Sequence, residues 1–173
     1  MGKLRPQQPP PCSHRGEAVK VGPYTIYAGG MQYFKQGDAD GFDLLIPLTW
    51  SAPFDFGKRY QVLAAPLVDY GGVPSGWSEF LDQVVVLLEE GTRMLVFCAG
   101  SHGRTGCLLG SLIALLETGE ETPDPIAAVR ARHCHHAVET LAQAEAIFKI
   151  RRETLPAHYV EEFTPRHQLT KEK

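Results

Sequence analysis

The residue pattern with most chemical potential in this chain is Cys98 followed six positions later by Arg104. A cysteine thiolate is a nucleophile, and an arginine guanidinium can grip two oxygens of a phosphoryl group at once. Gly100 and Gly103 lie between them, so successive backbone N–H groups can curl inward towards one anion. These residue types indicate a site at which a thiolate attacks a bound phosphoryl group.

Two apolar segments flank this loop and must position it. Arg93 to Phe97 is predicted to be a short buried strand, and Thr105 to Glu117 a buried helix. Ligands of α/β proteins bind where the carboxyl end of a strand meets the amino end of a helix, and the helix dipole there favours an anion. The Thr105 hydroxyl could hydrogen-bond the thiolate and help it leave in a second step. A buried structural thiol is the alternative interpretation of Cys98.

Strands and helices alternate along the rest of the chain. This alternation predicts the α/β class, with a central, mainly parallel sheet flanked by helices and the phosphate-binding loop between a buried strand and a helix. A helix opens at the N-cap Asp124 and Pro125 and runs towards His133. The other predicted elements are strands over Tyr24 to Ala28, Phe42 to Leu48 and Tyr60 to Val68, and helices over Trp77 to Glu90 and Ala137 to Arg151.

With these residues in view, the chain resembles a known family. Cys98-x5-Arg104-Thr105-Gly106 resembles the signature loop of the cysteine-based protein tyrosine phosphatases, and the length is similar to that of the compact dual-specificity members. The segment from Pro66 to Tyr70 resembles the one that bears the family's general acid. Asp124 to Arg130 and Gln143 resemble the helical region after the loop. The match covers roughly residues 22–152.

The resemblance implies a metal-free, cofactor-free phosphatase. Cys98 attacks phosphorus while Asp69 protonates the leaving group and then, as a carboxylate, activates water against the phosphocysteine. Thr105 assists the sulfur, and Gln143 helps position the water. The phosphate-binding loop consists of Ala99, Gly100, Ser101, His102, Gly103 and Arg104.

The implied substrate is a phosphorylated protein or peptide carrying phosphotyrosine, with or without phosphoserine and phosphothreonine. Two alternatives stay open: a phosphatase for a non-protein ester such as an RNA 5′ end, a lipid or a metabolite, and an inactive phosphate-binding module. Ala99 and His102 stand where the family's lipid phosphatases often have lysines, which disfavours a phosphoinositide. Residues 21–148 carry seven basic and fifteen acidic residues, a formal charge of −8, which disfavours nucleic acid.

Several site residues have competing interpretations. The family usually has a histidine where this chain has Phe97. It usually has a glycine where this chain has Ser101, so we expect Ser101 to raise the conformational cost of the loop turn or to add a hydroxyl to it. Asp69 could instead be a turn residue, with Asp55, Asp43 and Asp82 as other acids. Gln143 could be a solvated helix residue. His102 could contact substrate or simply be exposed in the loop.

The four cysteines, at positions 12, 98, 107 and 134, show no metal-like spacing, and we interpret them as free thiols of a reducing compartment. Cys107 could pair with an oxidised Cys98, but a packed thiol is favoured. His133, Cys134, His135 and His136 form a dense run. Since adjacent residues of a helix point in different directions, we predict helix-surface polarity there rather than a metal site.

The chain is expected to contain one catalytic domain over residues 21–155. The proline-rich residues 1–20 are predicted to be an extended or disordered arm, and residues 156–173 a polar tail. No apolar leader precedes the domain, and the longest apolar run, Cys107 to Leu116, is too short to cross a bilayer. We therefore predict a cytoplasmic protein without membrane contacts.

Overall fold

The computed structural model describes residues 12–51 and 59–165, which form a mixed α/β unit. Its strands are β1 (Arg15–Val21), β2 (Tyr24–Gly30), β3 (Leu44–Pro47), β4 (Gln61–Val62) and β5 (Met94–Cys98). Its helices are α1 (Trp77–Glu89), α2 (Gly103–Leu116), α3 (Pro125–Arg132), α4 (Leu141–Ile150) and α5 (Ala157–Phe163). The predicted fold class is confirmed.

The sheet has the strand order β1-β2-β5-β3-β4. Only the β1–β2 pair is antiparallel; β5 runs parallel to both of its neighbours, β2 and β3. All five residues of β5 are buried, as expected for a strand covered on both faces. Cys98 pairs with Gly30 at the last step of this ladder, so it lies at the carboxyl edge of the central strand.

Helix α2 is the buried central helix predicted for this part of the chain. Every residue from Gly103 to Ala114 is buried. Two of its glycines allow neighbouring segments to approach closely: a Cβ atom on Gly106 would lie 2.7 Å from the Val138 nitrogen, and one on Gly110 would lie 2.7 Å from Cδ1 of Ile147. The amino end of this helix is therefore held firmly against the segment that precedes α4.

The predicted strand over Tyr60 to Val68 is shorter than expected, since β4 contains two residues. The N–H groups of Leu63, Ala65 and Leu67 still donate to carbonyls of β3 and of Leu48 just after it. The prolines at positions 47 and 66 have no N–H to donate, which interrupts a regular ladder. The extended chain nevertheless follows β3 to its end and delivers Asp69 to the carboxyl edge of the sheet.

Both predicted tails contain ordered structure. Residues 15–20, which we assigned to the arm, belong to β1, where Val19 and Val21 bury the inward face against the core. Residues 157–163, assigned to the polar tail, form α5, whose Tyr159 is buried and donates its hydroxyl hydrogen to Asp124. Single apolar residues at suitable spacing anchor both segments.

The helix predicted over Ala137 to Arg151 begins at Leu141 in the structure. Thr140 is its N-cap, with the side-chain oxygen accepting the N–H of Gln143 at 3.2 Å. This cap turns residues 137–139 into a loop that contacts the start of α2. Among the described residues, no helix has the length and apolar character needed to span a membrane.

Candidate active site

A small pocket of about 140 Å³ lies at the carboxyl edge of the sheet. Cys98 ends β5 at 2% exposure, the chain curls through residues 99–102, and α2 begins at Gly103. The curl is held from one side by Gln32, whose N–H donates to the carbonyl of Ala99 at 3.1 Å. The pocket is lined by Gln32, Asp69, Tyr70, Cys98, Ala99, Gly100, His102, Gly103, Arg104 and Glu139.

Ser101 adopts the left-handed backbone conformation expected to carry a conformational cost, with φ at +64°. It is fully buried, and its carbonyl oxygen accepts a hydrogen bond from Nε2 of His133 at 2.7 Å. The Ser101 hydroxyl lies 3.2 Å from the same nitrogen. Burial lowers the pKa of His133, which favours the neutral ring. His133 thus holds a turn that a glycine would adopt without strain, a role that the sequence did not reveal.

The residues expected to hold the phosphoryl group and to donate the proton are in contact. Arg104 is 8% exposed, and its Nε lies 3.2 Å from Oδ1 of Asp69. The alignment is that of an ion pair rather than a hydrogen bond, since this buried Nε has no hydrogen-bond partner among the described residues. The structure therefore brings Cys98, Arg104 and Asp69 to one pocket.

The described alternatives to Asp69 lie elsewhere. The Asp43 carboxylate accepts the N–H of Arg93 at the amino edge of the sheet, opposite Cys98. Asp82 is exposed on α1, and Asp55 falls outside the described residues. Of the three candidate acids within the described residues, Asp69 lines the pocket and Asp43 and Asp82 do not.

Thr105 and Gln143 lie behind the pocket rather than in its wall. Thr105 is fully buried, and its Oγ1 has no hydrogen-bond partner within residues 12–51 and 59–165. Gln143 is only 1% exposed, so its interpretation as a solvated helix residue is wrong. Its Oε1 accepts the N–H of Glu139 at 2.8 Å, which fixes the loop before α4.

Glu139 lines the pocket and was missed at the sequence level. Its carboxylate lies directly beside Gly103, the first residue of α2, where a Cβ atom would overlap Oε2 of Glu139. Burial, with a smaller contribution from the nearby Asp69 carboxylate, raises the pKa of Glu139 above its usual range. The predicted helix placed Glu139 on a helical face. The Thr140-x-x-Gln143 pattern is a capping-box signature, which would have predicted that the helix starts after Thr140 and that Glu139 lies in the preceding loop.

Cys107 lies inside a helix, whereas Cys134 lies in a turn. Cys107 is fully buried in α2, and burial raises the pKa of its thiol to about 12, as expected of a packed thiol. The prediction of helix-surface polarity for residues 133–136 is wrong. Helix α3 ends at Arg132, and Cys134 lies in the following turn at 5% exposure.

Comparison with known sequences finds relatives of unassigned function. No protein-family model matches the chain. Uncharacterized protein MJECL20 of Methanocaldococcus jannaschii is 31% identical over 148 residues, which cover 80% of this chain and 94% of that protein. Uncharacterized protein MJ0215 of the same organism is 29% identical over 145 residues, covering 80% of this chain and 87% of the relative.

Comparison with solved structures finds phosphatases. Tk-PTP in its active form matches with a TM-score of 0.63 and 23% identity, over 79% of this chain and 97% of that one. Kinase associated phosphatase (KAP) matches at 0.60 and 13% identity, over 83% and 99% of the two chains. PTPMT1 in complex with PI(5)P matches at 0.60 and 11% identity, over 79% and 94%.

Proposed function

Because the chain belongs to the same family as MJECL20 and has the fold of the compact cysteine-based protein tyrosine phosphatases, we propose that it is a cysteine-dependent phosphatase acting on phosphotyrosine in proteins. The supporting observation is the convergence of Cys98, Arg104 and Asp69 on one small pocket. Phosphoserine and phosphothreonine are further candidate substrates of the same site.

In the first proposed step, the Cys98 thiolate attacks phosphorus and the bond to the ester oxygen breaks. Asp69 gives its proton to the departing phenolate as that bond breaks. The Arg104 guanidinium and the N–H groups of the loop stabilise the negative charge on the non-bridging oxygens. The product of this step is a phosphocysteine and a free phenol.

In the second step, the Asp69 carboxylate takes a proton from a water molecule that attacks the phosphocysteine. The sulfur–phosphorus bond breaks, inorganic phosphate forms, and Cys98 returns to the thiolate. We assign Thr105, directly after Arg104, as the hydrogen-bond donor to the leaving sulfur. We assign Gln143 as a positioning residue, because its side chain fixes the backbone of Glu139 at the rim of the pocket.

The surroundings of the pocket favour a phosphorylated protein or peptide. Val68 and Tyr70, on either side of Asp69, are each 66% exposed and offer apolar surface beside the leaving group. Among the described residues, two carboxylates, of Asp69 and Glu139, line the pocket against one guanidinium, and none of the lining residues is a lysine. Such a rim repels highly charged esters such as phosphoinositides and RNA ends. A cytoplasmic location is part of the same proposal.

The test is turnover by the full chain on a panel of esters: an aryl phosphate, peptides carrying phosphotyrosine, phosphoserine or phosphothreonine, a phosphoinositide and 5′-triphosphorylated RNA. The proposal expects hydrolysis of the aryl phosphate and the highest kcat/KM on the phosphotyrosine peptide. Cys98→Ser should lose turnover and still bind inorganic phosphate, because Arg104 and the loop N–H groups remain. Cys107→Ala, which removes a packed thiol away from the pocket, is the matched control and should keep turnover.

Three results would contradict the proposal. Absence of turnover on every ester would leave a phosphate-binding module. A higher kcat/KM on the phosphoinositide or the RNA than on the phosphopeptides would show that the substrate is a non-protein ester. More than a few per cent of activity in Cys98→Ser would show that another group attacks phosphorus.

A further inference from the structure

Beside the phosphate-binding loop, four metal-ligating side chains from three parts of the chain meet. They are Cys12 and His14 before β1, His102 in the loop, and Cys134 after α3, and one ligand atom of each lies within 4.8 Å of all the others. The Cys12 sulfur is 3.0 Å from Nε2 of His102 and 3.4 Å from the Cys134 sulfur. We refer to these four residues as the Cys2His2 cluster.

Two of the four residues are buried and two are partly exposed, and one buried histidine nitrogen has no hydrogen-bond partner among the described residues. Cys134 and His14 are 5% and 6% exposed. Nε2 of His14 is buried and has no hydrogen-bond partner among the described residues, a state that costs free energy unless something else binds it. On the other side of the ring, Nδ1 lies 3.6 Å from the Glu17 carboxylate. A carboxylate at the second ring nitrogen is how proteins commonly orient a metal-ligating histidine.

Two thiols and two imidazoles are the donor set of structural zinc sites. Zinc–sulfur bonds of about 2.3 Å and zinc–nitrogen bonds of about 2.0–2.1 Å place the ligand atoms of a tetrahedron roughly 3.3–3.8 Å apart. No two ligand atoms of the cluster are more than 4.8 Å apart, so shifts of about 1 Å per side chain would complete the tetrahedron. Magnesium and calcium prefer oxygen ligands, which the cluster does not offer.

We propose that Cys12, His14, His102 and Cys134 bind one zinc ion. On binding, each thiol releases its proton to solvent, and the two resulting thiolates neutralise the charge of the ion. Four protein ligands close the coordination sphere, so the role is structural rather than catalytic. The inference does not rest on the proposed phosphatase activity.

The ion would fasten the segment before β1 and the turn after α3 onto the phosphate-binding loop. His102 precedes the first residue of α2 and follows Ser101, which His133 already holds. Ser101 and His102 would then be fixed by His133 and Cys134, two neighbours in the turn after α3. In this arrangement the His102 side chain positions the loop at the pocket that His102 also lines.

The experiment measures metal in the untagged full-length chain, expressed with added zinc and purified under reducing conditions without chelator. Elemental analysis should find one zinc per chain. Cobalt substitution should give thiolate-to-metal charge-transfer absorption and the intense visible bands of tetrahedral cobalt. Cys12→Ser and Cys134→Ser should each lower the bound zinc at least tenfold. His135→Asn, a change of the exposed histidine next to Cys134, is the matched control and should keep one zinc.

Two controls make the result specific. Cys98→Ser should keep the zinc, which excludes binding at the pocket thiol, and far-ultraviolet circular dichroism of every variant should show whether it is folded. Zinc below about a tenth of an equivalent in the folded native chain, after reconstitution of the reduced protein, would overturn the proposal. So would a Cys12–Cys134 disulfide in the reduced preparation, detected by mass spectrometry, because the two sulfurs could not then be zinc ligands. Zinc retained in folded Cys12→Ser and Cys134→Ser would also overturn it.

Discussion

Oδ1 of Asp69 lies 3.2 Å from Nε of Arg104, although the two residues are far apart in the sequence. Asp69 is carried to this point by the extended chain that follows β3, and Arg104 by the first turn of α2. A phosphoryl group held by Arg104 would therefore lie within reach of the Asp69 carboxyl group. This contact is the geometric basis for assigning proton transfer to Asp69.

Asp69→Asn is expected to lower turnover of a phosphotyrosine peptide by about 10²–10⁴-fold, the usual contribution of a positioned proton donor. An aryl ester whose phenol leaves readily as the anion needs little protonation and should lose less. The measurement is kcat for both substrates, in the native chain and in the variant. The loss should therefore be larger on the phosphotyrosine peptide than on the aryl ester.

Equal losses on both substrates would remove Asp69 from proton transfer and leave it a structural partner of Arg104. Asp82→Asn, a change of an exposed carboxylate on α1, is the control and should match the native chain on both substrates.

Arg104→Lys is expected to lower kcat/KM by roughly 10²–10³-fold, because lysine keeps the positive charge but loses the planar two-point grip on the phosphoryl oxygens. Steady-state kinetics on an aryl phosphate measure the loss. Arg59→Lys changes an arginine whose side chain is 67% exposed and should leave the kinetics unaltered. Native-like kinetics for Arg104→Lys would show that Arg104 does not bind the reacting group.

Glu139→Gln is expected to tighten the binding of inorganic phosphate about fivefold. The Glu139 carboxylate lines the pocket beside Gly103 and repels an anion there. Removing this one charge is worth roughly 1 kcal/mol at an effective dielectric constant near 20 after screening. The inhibition constant of phosphate against an aryl ester reports the change. Weaker phosphate binding in the variant would mean that Glu139 orders the loop more than it repels the ligand.

Glu117 should make folding stability depend on pH in acid. Arg132 above all, with Thr122 and the N–H of Gly22, lowers the pKa of Glu117 from 4.5 to about 2. Because the folded-state pKa lies below the unfolded one, this stabilisation is fully present above about pH 4.5 and is lost as the pH falls through about 2. Glu117→Gln should therefore cost about 2 kcal/mol at neutral pH and progressively less towards pH 2.

Urea unfolding of the native chain and of Glu117→Gln at several pH values measures this difference. Glu120→Gln, a change of an exposed neighbour, should show no such trend. A cost for Glu117→Gln that stays constant between pH 7 and pH 2 would attribute the effect to packing rather than to charge.

The phosphate-binding loop and the elements on either side of it could be predicted from the amino-acid sequence alone. Cys98, Arg104 and the glycines between them are neighbours along the chain, and the apolar runs before and after them have the composition of a buried strand and a buried helix. Such signals are local, because backbone conformation and helix capping depend on residues within a few positions of one another. The same reasoning identified the Asp124–Pro125 start of α3, where the Asp124 side chain accepts the N–H of Ala127.

The distant side chains that surround the loop could be identified only from the folded structure. The contact of His133 with Ser101, the place of Glu139 in the pocket wall and the meeting of Cys12 with Cys134, 122 positions apart, each require elements that no local pattern relates. The ends of two helices also differ from the prediction. Because α3 ends at Arg132 and α4 begins at Leu141, residues that were predicted to lie on helices lie in the loop between them. Those contacts arise from sheet pairing and helix packing, which depend on the whole core at once.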